Sequence, residues 1–418
     1  MAVNNWVWFG PLSLAVLLFS TFYAYPYPVL NTFLGRAHDA KVHTAWIHHG
    51  ALKNERCWTN KLGKACEDVR IHHPSATAFL ACGFPETRKV FYPPLNRHDT
   101  SSADTYHEYF LKYDIKTDTA SKLKLEGIDS SYDLILHGID MFEVKEEPDR
   151  IYLFAVNHGR KGESIVLFYH ILGSDALTFV RDFSHPLIKT PNAVAATSLS
   201  SFFITNDHYY YGGGPIATLL RSHEDHWGPF KWASSVVHCS VKNPNPNPNS
   251  KTAALVAGDL DCKIVSPPDG HPSANGALLV DGGKTLLIND IVEATTTVYD
   301  VDPQTKMLSV RKKVQLGASA DNLSEIPGTG DIAVAVFPDL AALRKRLGHP
   351  DDILDSSIKA EAAVLRLIKA KDYEPELLYW DDGSLITVLT AAAVDPKHGK
   401  MIAGGVVERH FMVCDIDV

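Results

Sequence analysis

The sequence lacks the short motifs that mark several enzyme classes. It has no GxSxG serine elbow, no HExxH zinc motif and no glycine-rich phosphate loop, which argues against the corresponding hydrolases, metalloproteases and nucleotide-binding enzymes. None of its six cysteines forms a CxxC pair, so a structural zinc site is not indicated. Lys and Arg number 40 against 49 Asp and Glu, and no long basic patch is present. A nucleic-acid partner is therefore not expected.

One long uncharged segment lies at the N terminus. The residues from Trp6 to Tyr25 carry no charge and are numerous enough to cross a bilayer. No Lys or Arg precedes them, and FYAYPYP is a poor cleavage site, so we interpret 1–30 as an uncleaved signal-anchor. A linker (31–54) and a body (55–418) follow, which predicts a membrane-anchored or secreted protein of the secretory pathway. A cleaved signal peptide and a buried N-terminal helix are the alternatives.

The cysteines suit disulfides in such a compartment. Cys57 lies near the start of the body and Cys414 lies four residues from the end. A bond between them would join the two ends of the fold. Pairing of Cys66 with Cys82, and of Cys239 with Cys262, stays open, with buried thiols as the alternative for the first two.

Beyond the N terminus, the pattern is of short strands and turns with little helical signal. Apolar or alternating runs are separated by Gly, Asp, Asn or Pro, at 150–158, 164–172, 201–211, 284–290, 295–302 and 331–337. Evenly spread strand units without a separating linker predict an all-β propeller rather than two sandwiches. Residues 339–348 predict a helix, and the Pro-rich stretch 242–251 predicts a solvated insertion.

Short polar clusters recur at intervals of roughly one propeller blade. They are Glu67-Asp68, His137-Gly138, Asn157-His158, Asn192-Ala193, Asn206-Asp207-His208, Asn275-Gly276 and Asp321-Asn322. Each cluster alone is an ordinary turn former, but hard divalent cations prefer carboxylate and amide oxygens. Because the inner strand of each blade can bring one residue to the axis, the recurrence predicts a cation site in the central tunnel.

These clusters, in this order, resemble the serum paraoxonase/arylesterase family of calcium-dependent lactonases. The resemblance covers about residues 55–418, through CEDVRI, LHGID, IYLFAVNH, TNDHYY, ANGALLVDGGKTLLINDIVEATTTVYDVD and ADNLSEIPGTGD. It implies a six-bladed propeller with two calcium ions in its tunnel and a retained hydrophobic N terminus. It also implies a disulfide between the terminal strands, here Cys57 and Cys414.

The resemblance implies a role for each matching residue. The ligands of the catalytic calcium correspond to Glu67, Asn192, Asn275, Asp321 and Asn322. Asn322 is also the acceptor of the N-glycosylation sequon Asn322-Leu323-Ser324. We expect this sequon to be silent, because a metal ligand points inward.

A second, structural calcium is implied at Asp68, the carbonyl of Ile139 and the position of Ala193. Alanine has no side-chain oxygen, so we expect this site to be weak or absent unless a water or Asp207 compensates.

Two histidines, His137 and His158, correspond to the family's proposed base dyad. Histidine suits this role because its ordinary pKa lies near neutral pH, although either residue could be a satisfied structural group. Asp207 and His208 are expected to organise the tunnel floor. Phe337 replaces a family histidine, which should make the pocket more apolar.

The functional hypothesis is calcium-dependent hydrolysis of a small-molecule lactone or aryl ester. One alternative is a strictosidine-synthase-like propeller that joins or rearranges small molecules, which does not rely on the full five-residue calcium site. Another is a non-catalytic propeller that binds a lipid or protein at its membrane-facing rim. The sequence does not determine the natural substrate or the oligomeric state.

Overall fold

The computed structural model describes residues 45–227, 230–242, 258–268 and 270–418. The predicted anchor (1–30), the first part of the predicted linker and most of the Pro-rich insertion lie outside these ranges. Within them, no helix has the length and apolar character needed to cross a membrane. The division into anchor, linker and body stays a prediction.

Most of the described chain forms six sheets, numbered here as blades 1 to 6. Blade 1 contains β2 (Asp68–His72), β3 (Thr77–Cys82), β6 (Tyr109–Asp114) and β7 (Thr119–Lys122). Blade 2 contains β9 (Leu136–Glu143), β10 (Arg150–Gly159), β11 (Gly162–Ile171) and β12 (Ala176–Phe183), with β8 (Lys124–Glu126) parallel at the outer edge. Blade 3 contains β13 (Pro191–Ser198), β14 (Ser201–Asn206), β15 (Ser235–Val241) and β16 (Leu260–Ile264).

The second half of the chain supplies the other three blades. Blade 4 contains β17 (Ala274–Val280), β18 (Thr285–Asp290), β19 (Thr295–Val301) and β20 (Leu308–Gln315). Blade 5 contains β21 (Ser319–Ile326), β22 (Asp331–Phe337), β23 (Ala362–Ile368) and β24 (Glu374–Asp381). Blade 6 contains β25 (Leu389–Asp395), β26 (Lys400–Gly405), β27 (Phe411–Asp415) and β1 (Cys57–Asn60), and a separate ribbon pairs β4 (Phe91–Tyr92) with β5 (Arg97–His98).

Helices are few in the described chain. They are α1 (Pro85–Arg88), α2 (Pro215–Trp227) and α3 (Leu340–Gly348), with single 3₁₀ turns at Pro93–Leu95, Asp281–Gly283, Asp352–Leu354 and Lys369–Lys371. Asp339 caps α3 by accepting hydrogen bonds from the backbone N–H groups of Ala341 and Ala342. The helix predicted over 339–348 is confirmed.

The six sheets close into a ring. The first strands of the blades, β2, β9, β13, β17, β21 and β25, each contact the next, and β25 contacts β2. Separate apolar cores fill the spaces between adjacent blades all round the ring. The predicted all-β fold, a six-bladed propeller, is confirmed. Because neighbouring blades cover both faces of each sheet, a strand such as β22 is buried along its whole length, and its sequence is almost entirely apolar.

The ring closes on the terminal strands of the body. β1 pairs with β27, with Cys57 opposite Cys414, and a disulfide joins the two residues. Disulfides also join Cys66 to Cys82 and Cys239 to Cys262, so no free cysteine is left in the described ranges. Within the predicted linker, the Trp46 indole donates to the carbonyl of Leu316 at 2.7 Å, so this segment packs on the propeller.

Loss of the closing disulfide is expected to lower the stability of the propeller. The Cys57→Ser/Cys414→Ser variant releases a link across 357 residues, against 23 residues for Cys239→Ser/Cys262→Ser. The chain-entropy relation gives about 6 kcal/mol for so long a loop and about 3 kcal/mol for the short one. Urea midpoints of both double variants check this, and equal losses would contradict it.

Candidate metal centre and active site

The five side chains predicted to bind the catalytic calcium come together in the structure. We call them the cage residues: Glu67, Asn192, Asn275, Asp321 and Asn322. Glu67 directly precedes β2, and the others lie near the starts of β13, β17 and β21. All five are buried, and all except Asn322 line one cavity. Asn322 joins them through its amide, which donates to Oε1 of Glu67 at 2.7 Å.

Local backbone irregularities aim these side chains. At Asn192-Ala193, Asn275-Gly276 and Asp321-Asn322, two residues of the inner strand stand opposite one residue of the neighbouring strand. β9 has the same irregularity at His137-Gly138. Such β-bulges bend a strand and redirect its side chains, which is why they cluster at functional sites. The polar pairs that resemble turns in the sequence are therefore bulges at the tunnel.

Two glycines allow the inner strands to approach closely at this level. A Cβ added at Gly138 would lie 2.5 Å from the carbonyl oxygen of Asn192, and one at Gly276 would lie 2.6 Å from that of Asp321. Both glycines directly follow a site residue. Any larger side chain would push neighbouring inner strands apart, so these positions need glycine for close packing.

Each cage residue keeps one buried oxygen without a hydrogen-bond partner among the described residues. These are Oε2 of Glu67, Oδ1 of Asp321, and Oδ1 of Asn192, Asn275 and Asn322. A buried polar atom without a partner is costly, and native proteins normally satisfy it. Five such oxygens in one place form a donor set that suits a hard divalent cation such as Ca²⁺.

Other buried asparagines show that this feature is local. In Asn157, Asn206 and Asn289, Oδ1 accepts a hydrogen bond of 2.7–2.9 Å from a protein donor. These three residues lie in strands of similar composition, and two of them lie in polar clusters seen in the sequence. Among the asparagines of the described chain that are buried as whole residues, free carbonyl oxygens are confined to the cage; the half-buried Asn96 also has an unpartnered Oδ1.

The electrostatics of the cage also favour a cation. Burial raises the pKa of Asp321 well above its usual range, and the charges of Glu67 and Asp68 raise it further, while a hydrogen bond from Asn275 lowers it. A cation among these carboxylates would relieve their repulsion. No cluster of three or more His, Cys, Asp or Glu side chains that could hold a metal occurs in the described ranges. The cage contains only two acidic side chains, and amides supply its other three oxygens.

The N-glycosylation sequon is buried inside this arrangement. Asn322 is 1% exposed, and its amide nitrogen donates to the carboxylate of Glu67. A glycan on that nitrogen could not be accommodated in the folded protein.

The predicted histidine dyad is a hydrogen-bonded pair. Nδ1 of His137 lies 2.8 Å from Nε2 of His158, and Nε2 of His137 lies 3.3 Å from Oε1 of Glu67. On the far side, Nδ1 of His158 lies 2.5 Å from Oε2 of Glu163, a buried carboxylate that the sequence analysis missed. Glu163 follows His158 across the β10–β11 hairpin, where the two residues pair. The result is a continuous series of side-chain contacts from Glu163 through the two histidines to the cage.

The cavity over the cage combines a polar floor with an apolar wall. Its volume is about 120 Å³, and His137 lines it beside the cage residues. The wall consists of Leu95, Ile291, Phe337, Leu343, Leu347, Val388 and Val406. Phe337 thus lies where it makes the pocket more apolar.

The chain matches one known family along most of its length. A family model described as arylesterase matches residues 61–243 and 257–416. The chain belongs to the arylesterase family. Serum paraoxonase/arylesterase 2 of Gallus gallus is 29% identical over 353 residues, which cover 84% of this chain and 85% of that protein. Serum paraoxonase/arylesterase 2 of Homo sapiens is 26% identical over 357 residues, which cover 84% and 85%.

Among solved structures, a luciferin-regenerating enzyme is similar with a TM-score of 0.46 and 14% identity, covering 88% of this chain and all of that one. A score this low adds nothing to the fold assignment, which depends on the strand topology.

A fully buried ion pair supports the histidine dyad of this arylesterase-family member. Arg88 bonds Glu108 through Nε at 2.8 Å and Nη2 at 2.7 Å, and Nη2 also donates to the carbonyl of Leu136. The Leu136 N–H donates to Glu108 at 2.7 Å. Since His137 follows Leu136, the pair fixes the backbone that carries the histidine. Tyr92 packs between the guanidinium and His137.

Asp207 and His208 lie beside the cage, under α2. Nδ1 of His208 lies 2.7 Å from Asp207, and Nε2 lies 3.1 Å from Asp225 of α2. Burial and Arg221 lower the pKa of His208, but Asp207 and Asp225 raise it more, to about 9. The other oxygen of Asp207 lies 3.5 Å from Nδ2 of Asn192. This series of side-chain contacts links the cage residue Asn192 to α2.

Blade 6 contributes a residue that the sequence analysis did not identify. Thr390 lies near the start of β25, lines the cavity, and donates to the carbonyl of Glu67 at 2.7 Å. The disulfide of Cys66 holds Glu67 from the preceding residue. Glu67 is therefore fixed from two blades.

The residues of the predicted second calcium site are adjacent but arranged differently. Asp68 and Ile139 are in contact through the Ile139 N–H, which donates to Oδ2 of Asp68 at 2.9 Å. Ala193 is buried beside β9, where Gly138 approaches its Cα.

Proposed function

We propose that this protein is a calcium-dependent hydrolase of lactones, aryl esters or both. Membership of the arylesterase family supports a hydrolase, and the names of its relatives include paraoxonase, arylesterase and lactonase. The observation that carries the calcium dependence is the set of five buried, unpartnered oxygens of the cage residues.

The cage residues would hold the calcium ion. Bound there, Ca²⁺ would act as a Lewis acid that polarises the carbonyl of an ester and stabilises the developing negative charge. Glu67 and Asp321 offset the double positive charge without exceeding it. The three amides add neutral oxygens, so the ligand set carries no negative charge beyond the two that balance Ca²⁺.

The series of hydrogen bonds from Glu163 to His137 supports one arrangement of protons in the dyad. A carboxylate only accepts hydrogen bonds, so Nδ1 of His158 carries a proton toward Glu163. In the neutral ring, Nε2 of His158 then accepts from Nδ1–H of His137. In this arrangement Nε2 of His137 carries no proton and faces the cavity, with the Asn192 amide 3.5 Å away as a donor. Oε1 of Glu67, at 3.3 Å, accepts from the Asn322 amide instead. On this proposal His137 takes a proton from water, with His158 as its positioning partner.

The apolar wall suits the organic part of a small substrate. Phe337, Leu343 and Val406 line the same cavity as the cage residues, so an acyl or aryl group can lie against them while its carbonyl faces the polar side chains.

Hydrolysis measured with and without EDTA tests the proposal. The panel contains γ-, δ- and long-chain lactones, phenyl acetate and a phosphotriester, with calcium titrated back after chelation. We expect turnover of at least one lactone or ester that is lost with EDTA and restored by calcium. Turnover that resists chelation would contradict the calcium role. Calcium-dependent stability without any turnover would indicate a non-catalytic propeller.

We propose a lumenal or extracellular location. Three disulfides in the described chain are typical of an oxidising compartment, and the matched relatives are named as serum proteins. Membrane attachment would depend on residues 1–30.

A further inference from the structure

Asp68 differs from its neighbour Glu67 in having no free oxygen. Its Oδ1 accepts from the Val69 N–H at 2.8 Å and from Nη1 of Arg70 at 2.7 Å. Its Oδ2 accepts from the Ile139 N–H at 2.9 Å. Protein donors thus satisfy the carboxylate on both oxygens, unlike every cage residue.

The group that faces Asp68 is itself a cation. Arg70 is 6% exposed, and its guanidinium lies between Asp68 of blade 1 and Asp140 of blade 2, with Nε 3.8 Å from Oδ1 of Asp140. Nε and Nη2 have no hydrogen-bond partner in the described ranges, but they are hydrogen-bond donors and cannot coordinate a metal ion. A buried arginine is permanently charged, so it repels a second cation beside it.

The other ligands implied for a second calcium do not compensate. Ala193 offers no side-chain oxygen. The carbonyl of Ile139 is a single neutral oxygen and cannot replace a carboxylate. Asp207 directs its carboxylate to His208 and Asn192, so it does not replace the missing ligand.

We infer that the guanidinium of Arg70 takes the place of the second cation, so that Asp68 binds no calcium. The arginine crosslinks blades 1 and 2 at the tunnel through Asp68 and Asp140, which a structural metal ion would otherwise do. This inference goes beyond the proposed function, because it holds whether or not the cage is occupied.

Counting bound calcium tests the inference directly. Wild type, Asp68→Asn and Asp321→Ala are equilibrated in 1 mM calcium. Gel filtration into a buffer of low, fixed free calcium removes the excess ion, and elemental analysis then gives the calcium bound per chain. We expect one ion per chain in wild type, one in Asp68→Asn and none in Asp321→Ala. A loss of one ion in Asp68→Asn would overturn the inference. No ion in wild type would contradict the cage while leaving the assignment of Asp68 intact.

A gain-of-site variant gives a second, independent test in case Asp68→Asn does not fold. Arg70→Glu/Ala193→Asp removes the guanidinium and adds two carboxylates beside Asp68. We expect this variant to bind one more calcium ion than wild type and to show a larger rise in Tm with calcium. An unchanged count would show that Arg70 is not what excludes the ion. Arg70→Lys serves as the control that keeps the charge and should keep the wild-type count.

Discussion

Asp321→Ala and Asn275→Ala are each expected to abolish ester hydrolysis and, in the same variants, the rise in Tm with calcium. Each removes one of the five unpartnered oxygens, and Asp321 also supplies half of the cage's negative charge. A ligand present at about a thousand times its Kd stabilises the folded state by about 4 kcal/mol. Most of that gain should vanish in both variants. Thermal unfolding and lactone turnover, each with calcium and with EDTA, provide the measurement.

Asp331→Ala is the matched control for Asp321→Ala. Asp331 is a buried carboxylate of the same blade, but protein donors satisfy it: Nε of Arg366 at 2.7 Å and the Lys369 N–H at 2.8 Å. Its removal should lower Tm by the same amount with and without calcium and leave turnover calcium-dependent. An Asp321→Ala protein that keeps both calcium-dependent properties would exclude the cage as the metal site.

The sequence predicted the strands better than their irregularities. Runs such as 331–337 are apolar because both faces of β22 are buried between blades, and this signal is local. The bulges at Asn275-Gly276 and Asp321-Asn322 have no local signature that separates them from turns. Their conformation depends on how neighbouring inner strands pack at the axis. The number of blades came from the family resemblance, not from the strand pattern.

The candidate site was predictable only in part, for a related reason. Asn157 and Asn275 lie in similar apolar contexts, yet Oδ1 of Asn157 accepts from a backbone N–H 22 residues away and Oδ1 of Asn275 accepts from none in the described chain. Long-range partners of this kind decide which amide is structural and which is free for a metal. Glu163 and Thr390 were missed because each acts through a neighbour that only the fold supplies.

His137→Gln is expected to lower kcat for the best lactone by about 10²–10⁴-fold, the usual contribution of a general base. Glutamine retains hydrogen-bonding capacity but cannot take a proton from water at neutral pH. The rise in Tm with calcium should persist, because His137 is not a cage residue. Steady-state kinetics and thermal unfolding of the same preparation separate these two effects.

His238→Gln is the matched control for this change. His238 is also buried and hydrogen-bonded, with Nε2 2.9 Å from the Ser201 hydroxyl, but it lies on β15, away from the inner strands. Its substitution should leave kcat unchanged. A His137→Gln protein with full turnover would refute the assignment of the base.

Non-additivity shows whether Glu163 acts through the dyad. If Glu163 and His158 serve only to keep Nε2 of His137 unprotonated, Glu163→Gln should lower kcat in the wild-type background. It should then have little further effect once His137 is glutamine, because residues that act as one unit lose their joint effect with the first substitution. If Glu163 instead serves only the packing of the hairpin, the two losses should multiply. The double variant therefore separates a positioning role exerted through the dyad from a purely structural hydrogen bond, which the 2.5 Å contact alone does not.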